Sequence, residues 1–396
     1  MKIIFTALML CLDLAAQGPA QPVRPASAPA NIPSPGLFTT PSGQFQGSVA
    51  AGQASAAPIS LSLQDAIDRG LKTNLGLLVR NTGSELAAAA RRRALANLLP
   101  TVQGEISGTE QQINLAAFGF NFPGIPSING PFGVNDARAS FSESVYDRTA
   151  LKNKLSASQT EKASQLSIAD GRDLVVEAVA SAYLRIIADQ ARVAATKTQV
   201  DTAQALYERA RDRHQAGLSP AIDELRAQVE LKTQQQVLIA QQNQMDEDKL
   251  SLARAIGLPL GQEFILSESV PFTALEGITP DEALHQAYES RSDYLSSQMQ
   301  VRAAETAREA ARGERFPTLA VDANYGAIGS SFANSHGTFA VTGSLKFNIF
   351  DSGRLASDVA QADAVVAQRR AETEDLRGQI DFQFRAALLA LKTAAA

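Results

Sequence analysis

The chain has 396 residues, 45% of them hydrophobic, so it is long enough for two ordinary domains with a sizeable core. Its lack of Trp and 6% aromatic content, together with a great deal of Ala, Gln and Leu, favour long helices over a compact mixed core. A formal charge of -5, with Lys and Arg spread along the chain, gives no reason to expect a nucleic-acid surface.

Residues 1–20, MKIIFTALMLCLDLAAQGPA, place a Lys before an apolar run from Ile3 to Leu12 and then small residues. Such a run is too short to span a bilayer comfortably, and it reads as a cleaved secretory signal peptide whose cleavage site Asp13 leaves open. Cys11 is the single cysteine, and Leu8, Met9 and Leu10 lack the small residue expected just before a lipidated Cys. The mature chain is therefore expected to contain no cysteine and no disulfide. Residues 21–58 are rich in Pro, Ala and Ser with almost no charge, a composition that predicts a disordered leader. No later window approaches 18 consecutive apolar residues, so entry into a membrane would have to be by strands.

Two stretches then resemble each other without gaps, 61–108 and 278–325. Each reads as a short helix, a polar break, and an Ala/Arg/Glu-rich helix that stops at a Pro, Pro100 or Pro317. The Pro ring disfavours helical geometry in the preceding residue, Leu99 or Phe316, and the chain should leave as strand. A β-hairpin is expected over 101–146, with strands VQGEISGTEQQINL and VNDARASFSESVYD. Between them the loop AAFGFNFPGIPSINGPFG has Pro and Gly enough to exclude regular structure. A second hairpin is expected over 318–350. There Leu319, Val321, Ala323, Tyr325 and Ala327 alternate with polar or small residues, as do Phe339, Val341, Gly343, Leu345, Phe347 and Ile349.

Helices restart after each hairpin, at Asp147 and Asp351, and the Asp351 carboxylate can cap the first turn of the second. A long helical hairpin is expected over 149–257. Val179, Ile186, Val193, Val200, Tyr207 and His214 recur every seventh residue on its first arm, and Leu231, Leu238, Met245 and Leu252 on its second. The turn between the arms, AGLSPAID, has Gly217 to end one helix and Pro220 with Asp223 to start the next. A connector follows over 258–277, and the second repeat over 278–396 starts a descending helix at 352. Aligned on Tyr146-Asp147 and Phe350-Asp351, the second half reaches only as far as Arg192 of the first. Its turn and returning arm are absent from this sequence, which reads as a fragment or a truncated gene.

His214, His285 and His336 lie far apart with no second ligand at helical spacing, so neither a metal nor any other cofactor is expected. GLSPA follows a helix and is no nucleophile elbow, and no Gly-rich phosphate loop follows a strand, so enzyme chemistry is not expected.

LLPTV, YESRSDYLSSQMQVRAAETAREAARGERFPTL, IFDSGR, RHQAGLSPAIDELRAQ and ARAIGLPLG, in their order around the duplication, resemble the motifs of the TolC-like outer membrane efflux family over about residues 60–396. The resemblance implies a mainly α fold with a small membrane β part, in which a homotrimer closes a twelve-stranded β-barrel continued by a periplasmic α-barrel. It implies a passive exit duct for drugs or secreted polypeptides, partnered by outer-membrane lipid, a periplasmic adaptor (membrane fusion) protein and, through the adaptor, an inner-membrane pump. Gly217, Leu218 and Asp223 match the family's tip motif, so the tip Gly217, Leu218, Ser219, Pro220 and Asp223 is the expected adaptor contact. Pro100, Pro317, Asp147, Asp351 and Gly353 are expected to shape the barrel junctions, with Gly353 letting two backbones come close. VYDRTA lacks the Gly of FDSGR, so the two junctions should be built differently. Two other readings stay open: an exported coiled-coil structural or adhesive protein, and a non-functional truncated remnant of an efflux channel.

Overall fold

The computed structural model describes residues 45–50, 52–55, 57–119, 123–124, 126–267 and 279–395, all within the unit Ser42–Ala396. The expected signal peptide, the leader up to residue 44 and connector residues 268–277 lie outside the described residues.

The first half contains β1 (Ile59–Leu61), α1 (Leu63–Thr73), α2 (Leu75–Ala96), β2 (Thr101–Asn114), β3 (Ile128–Tyr146), α3 (Arg148–Gln215), α4 (Ala221–Ala255) and β4 (Phe264–Leu266). The second half contains α5 (Pro280–Ser290), α6 (Ser292–Gly313), β5 (Thr318–Gly329), β6 (Ser335–Lys346) and α7 (Arg354–Ala395). The bounds of α5 and α6 lie a constant 217 residues after those of α1 and α2, running from 63 to 280 and from 96 to 313. The caps keep the same spacing. Ser62 Oγ accepts from Asp65 N at 3.1 Å, and Thr279 pairs with Glu282 in a reciprocal capping box. Asn74 and Arg291 break the two helix pairs at the same place, both with extended backbone.

The strands β2, β3, β5 and β6 form one antiparallel sheet in that order. Below it, α3 packs against α2 and α6, and α7 packs against α6, so the helices follow the same lateral order as the strands that feed them. Helix α3 has 68 residues with no Pro and is about 100 Å long at 1.5 Å per residue, about twice the length of the 35-residue α4. Only its distal half faces α4. The proximal half is held by α6 and α2 through Thr149 Oγ1 donating to Ala310 O (3.2 Å), Ser156 Oγ to Ala303 O (2.8 Å), Ser296 Oγ to Ala163 O (2.8 Å), and the Arg91–Glu161 pair.

The core sits at the middle of α3. Val175, Val179, Tyr183 and Ile186 meet Leu61, Ala66, Leu77, Leu252, Ile256, Leu258 and Phe264. Fully burying a large apolar side chain stabilises by about 1.5–3 kcal/mol. Beside this core, β1 and β4 pair in parallel, a short sheet that period-two reading does not detect because each strand has three residues.

Several sequence expectations are corrected. Residues 45–58 were expected within the disordered leader. Phe45 is instead 2% exposed, Val49 N donates to Thr73 O, and Ser55 N donates to Gln262 Oε1. The loop over 116–133 was expected to lack regular structure. A 3-10 turn occupies Leu115–Phe118, and β3 already starts at Ile128. Its Pro131 is tolerated because Gly130 and Pro131 stand opposite Gln112 alone, in a bulge that requires no ladder N–H. Phe347 and Ile349 were expected in the last strand, but the ladder stops at Lys346, whose partner Thr318 is the first residue of β5. The helices do not run to their prolines. They end at Ala96 and Gly313, bonds such as Leu99 N to Ala96 O and Phe316 N to Gly313 O make a turn before Pro100 and Pro317, and the strands start one residue later at Thr101 and Thr318. The seam of α3 also carries a second stripe, Asp189, Thr196 and Ala203, buried where Val193, Val200 and Tyr207 are only half-buried.

Candidate functional site

The register sorts the sheet into two chemically distinct faces. On one face lie the cross-strand rows Gly104–Ala139–Tyr325–Phe339 and Val102–Phe141–Ala323–Val341, with Ile106, Val321, Leu319 and Leu345 beyond them. Phe339 is 78% exposed, and Val102, Ile106, Tyr325 and Val341 are similarly open. On the other face lie Glu105–Arg138–Gly326–Thr338 and Thr101–Ser142–Asp322–Thr342. Their side chains bond to each other. Arg138 Nη1 donates to Asn324 Oδ1 at 2.7 Å, its Nε donates to Asp136 Oδ2 at 3.0 Å, and Ser142 Oγ donates to Asp322 Oδ1 at 2.7 Å. Gly326 makes room for this cluster, since a Cβ there would come within 2.5 Å of the Ala137 carbonyl and Arg138 Cβ. Period-two alternation reveals the apolar face, whereas the polar network needs the register. Both outer strands, β2 and β6, have one edge without a partner among the described residues.

The two strand-to-helix junctions differ. At the first, β3 ends at Tyr146, and Asp147 caps α3 directly, accepting from Ala150 N at 2.8 Å. At the second, residues 347–353 intervene. Asp351 Oδ1 accepts from Gly353 N and its Oδ2 from Leu355 N, both at 3.1 Å. Gly353 has φ +86°, yet a Cβ there meets nothing within 4 Å. Among the described residues no backbone comes close to Gly353, contrary to expectation, and the glycine serves the left-handed turn. Near the first junction, Arg148 lies 4.4 Å over the Phe316 ring, and the Lys152–Glu309 bond holds the Glu309 carboxyl below its ordinary value.

At the far end of α3, Gly217 has φ +74°, its N–H donates to His214 O, and Leu218 N–H donates to Arg213 O at 2.8 Å. This is the paired bonding of a Schellman motif. Pro220 precedes α4 with extended backbone, and Asp223 N donates to the Pro220 carbonyl. Asp223 and Glu224 lie in the first turn of α4, and Arg213 in the last turn of α3, each favoured by the local helix dipole. The five sequence-chosen residues thus form one turn, with Leu218 71% exposed at its apex. Sequence reasoning missed the role of His214, whose Nδ1 lies 3.1 Å from the Ser219 carbonyl and braces the turn. Among the described residues no group of three or more His, Cys, Asp or Glu could hold a metal ion, and no helix is long and apolar enough to cross a membrane.

Comparison with known proteins adds family and fold. The model of the outer membrane efflux protein family matches residues 67–258 and 283–396. The chain is 26% identical over 315 residues to the toluene efflux pump outer membrane protein TtgC of Pseudomonas putida, covering 75% of this chain and 61% of that protein. It is 26% identical over 313 residues to the pyoverdine export outer membrane protein OpmQ of Pseudomonas putida, covering 72% and 63%. The chain therefore spans about three fifths of the length of these curated relatives. Among solved structures it resembles a membrane protein from Pseudomonas aeruginosa (TM-score 0.73, 19% identity, 85% of this chain and 81% of that one). It also resembles the Campylobacter jejuni CmeC outer membrane channel (TM-score 0.72, 16% identity, 89% and 79%). At these identities the likeness is one of fold.

Proposed function

This chain belongs to the outer membrane efflux protein family, and on that premise we propose that it forms the outer-membrane exit duct of a tripartite efflux or type I secretion system. Three copies supply twelve strands, closing a barrel that one four-stranded sheet cannot close and pairing the free edges of β2 and β6 across copies. The apolar face meets lipid, the polar face lines the water-filled lumen, and the helical layer continues the wall into the periplasm. The duct is a passive conduit.

The observation that carries this reading is the division of the sheet into an open apolar face and a hydrogen-bonded polar face. An exported coiled-coil stalk has no use for such a face. The tip residues Gly217, Leu218, Ser219, Pro220 and Asp223 form the contact for a periplasmic adaptor that links the duct to an inner-membrane pump. Leu218 supports this role, because the hydrophobe after a Schellman glycine commonly packs back on its own helix and here points into solvent.

Membrane fractionation, followed by sizing of unheated, detergent-solubilised protein, tests the proposal. An outer-membrane trimer is expected, and a soluble monomer overturns it.

A further inference from the structure

Within the distal seam, Asp189 of α3 is 1% exposed and lies against Asp248 of α4, which is also buried. Asp189 Oδ1 accepts from Arg192 Nη1 at 2.9 Å, but its Oδ2 is buried with no hydrogen-bond donor. Asp248 accepts from Gln244 Nε2 at 3.2 Å and has Arg185 Nη1 at 3.7 Å. Among the described residues, Arg192 and Asp248 are the charged groups acting on Asp189, and Arg185 is the cation paired with Asp248. Both arginines keep their side chains about two thirds in solvent, so each neutralises its carboxylate only through screened contact. Two ionised carboxylates cannot hydrogen-bond to each other, since neither has a proton to donate, so Asp248 cannot satisfy Asp189 Oδ2 while both are charged.

We propose that Asp189 and Asp248 share one proton, which makes the α3–α4 pair a clasp that loosens as pH rises. With the proton held, the Asp189 carboxylic acid donates from Oδ2 to the Asp248 carboxylate, and the orphaned oxygen gains its partner. When the proton leaves to water, two negative charges face each other across a buried seam. Burial first, and then the neighbouring Asp248, push the Asp189 carboxyl above its ordinary value, while Arg192 opposes them. A carboxyl with a raised folded-state pKa binds more protons folded than unfolded. Its stabilising contribution is therefore present at acid pH and lost as pH rises through the folded pKa. The clasp sits about twenty-five residues from the tip along α3, so its state sets how firmly the arm that carries the tip is held. The inference stands on the helix pair alone, whether or not the sheet enters a membrane.

Amide hydrogen exchange on the full chain in detergent, each rate divided by its intrinsic rate at the same pH, reads the clasp over 185–192 and 244–252. Between about pH 4 and about pH 8, protection in the wild type should fall up to tenfold for each unit by which the folded pKa exceeds the unfolded one. Asp189→Asn keeps an acceptor for Arg192 and donates permanently to Asp248, so its protection should stay flat with pH and exceed wild type at neutral pH. Asp248→Asn supplies the donor from α4 and should also flatten the slope. A flat or rising wild-type profile overturns the shared proton, as does a wild-type slope retained in either Asn variant.

Discussion

Leu218 and Leu258 occupy the same position of the same helix-ending motif, yet Leu218 is 71% exposed and Leu258 is 4% exposed. Each follows a glycine of positive φ, Gly217 or Gly257, and each donates its N–H five residues back, to Arg213 O at 2.8 Å and to Ala253 O at 2.9 Å. Leu258 joins the core, whereas Leu218 stands at the tip. Leu258→Ala should therefore cost about 2–4 kcal/mol in thermal or denaturant unfolding. Leu218→Ser should change stability by less than about 0.5 kcal/mol while lowering cross-linking to an adaptor partner. Unchanged cross-linking would remove Leu218 from the docking surface.

The two motif glycines should separate in the same way. A Cβ at Gly257 would lie 2.6 Å from Thr73 Oγ1 and 3.0 Å from the Val49 carbonyl, while at Gly217 or Gly353 it meets open space. Gly217→Ala and Gly353→Ala carry only the left-handed backbone cost, about 1–2 kcal/mol. Gly257→Ala adds a clash against α1 and the 45–58 segment, and should melt well below both.

Asn74 is fully buried at the α1–α2 break. It donates to the Phe45 carbonyl at 2.6 Å and accepts from Gly76 N at 2.9 Å. Asn74→Ala should cost about 2–3 kcal/mol by leaving both groups unpaired in the interior. The change at the equivalent Arg291→Ala, which lies partly exposed and bonds to Asp293 and Gln383, should be about 1 kcal/mol. Paired denaturation curves would read the difference.

Sidedness of the sheet is testable with one charge on each face. Phe339→Asp on the apolar face should drive the chain from the outer-membrane fraction into aggregates or the soluble fraction. Thr338→Asp, one residue along on the polar face, should leave membrane recovery near wild type. Equal recovery of the two variants would contradict a lipid-facing apolar side.

The capping box of α5 gives a pH dependence of opposite sign to the proposed clasp. Bonds from the Thr279 hydroxyl and backbone N–H hold the Glu282 carboxyl below its ordinary value. A carboxylate with a depressed folded pKa contributes stability above its unfolded value of 4.5, and loses it as pH falls through the folded pKa. Exchange protection at the start of α5 should drop on acidification below that point, and Glu282→Gln should abolish the dependence.

Local features carried much of the architecture. Asp351 bonds into the first turn of a new helix as its type predicts, and the break-and-restart pattern of 61–108 returns at 278–325 with helix bounds at a constant offset. Alternation at Leu319 to Ala327 identified the apolar face, and the five tip residues lie together because seven consecutive positions contain them all. What escaped notice was long-range or disguised by polarity. Phe45 reads as one apolar residue in a Pro/Ala/Ser segment, and the second seam stripe contains Asp189 and Thr196, which no apolar pattern selects.

By itself, the sequence determined where helices start after each hairpin, which residues of the paired strands share a face, and that one plan is used twice. Each of these depends on interactions within a few residues. Only the tertiary structure decided that Gly257 must clear Thr73, that Arg138 reaches Asn324 across the sheet, and that Asp189 is buried beside Asp248. Those contacts join residues up to about two hundred positions apart, and their energies depend on burial that no single segment produces.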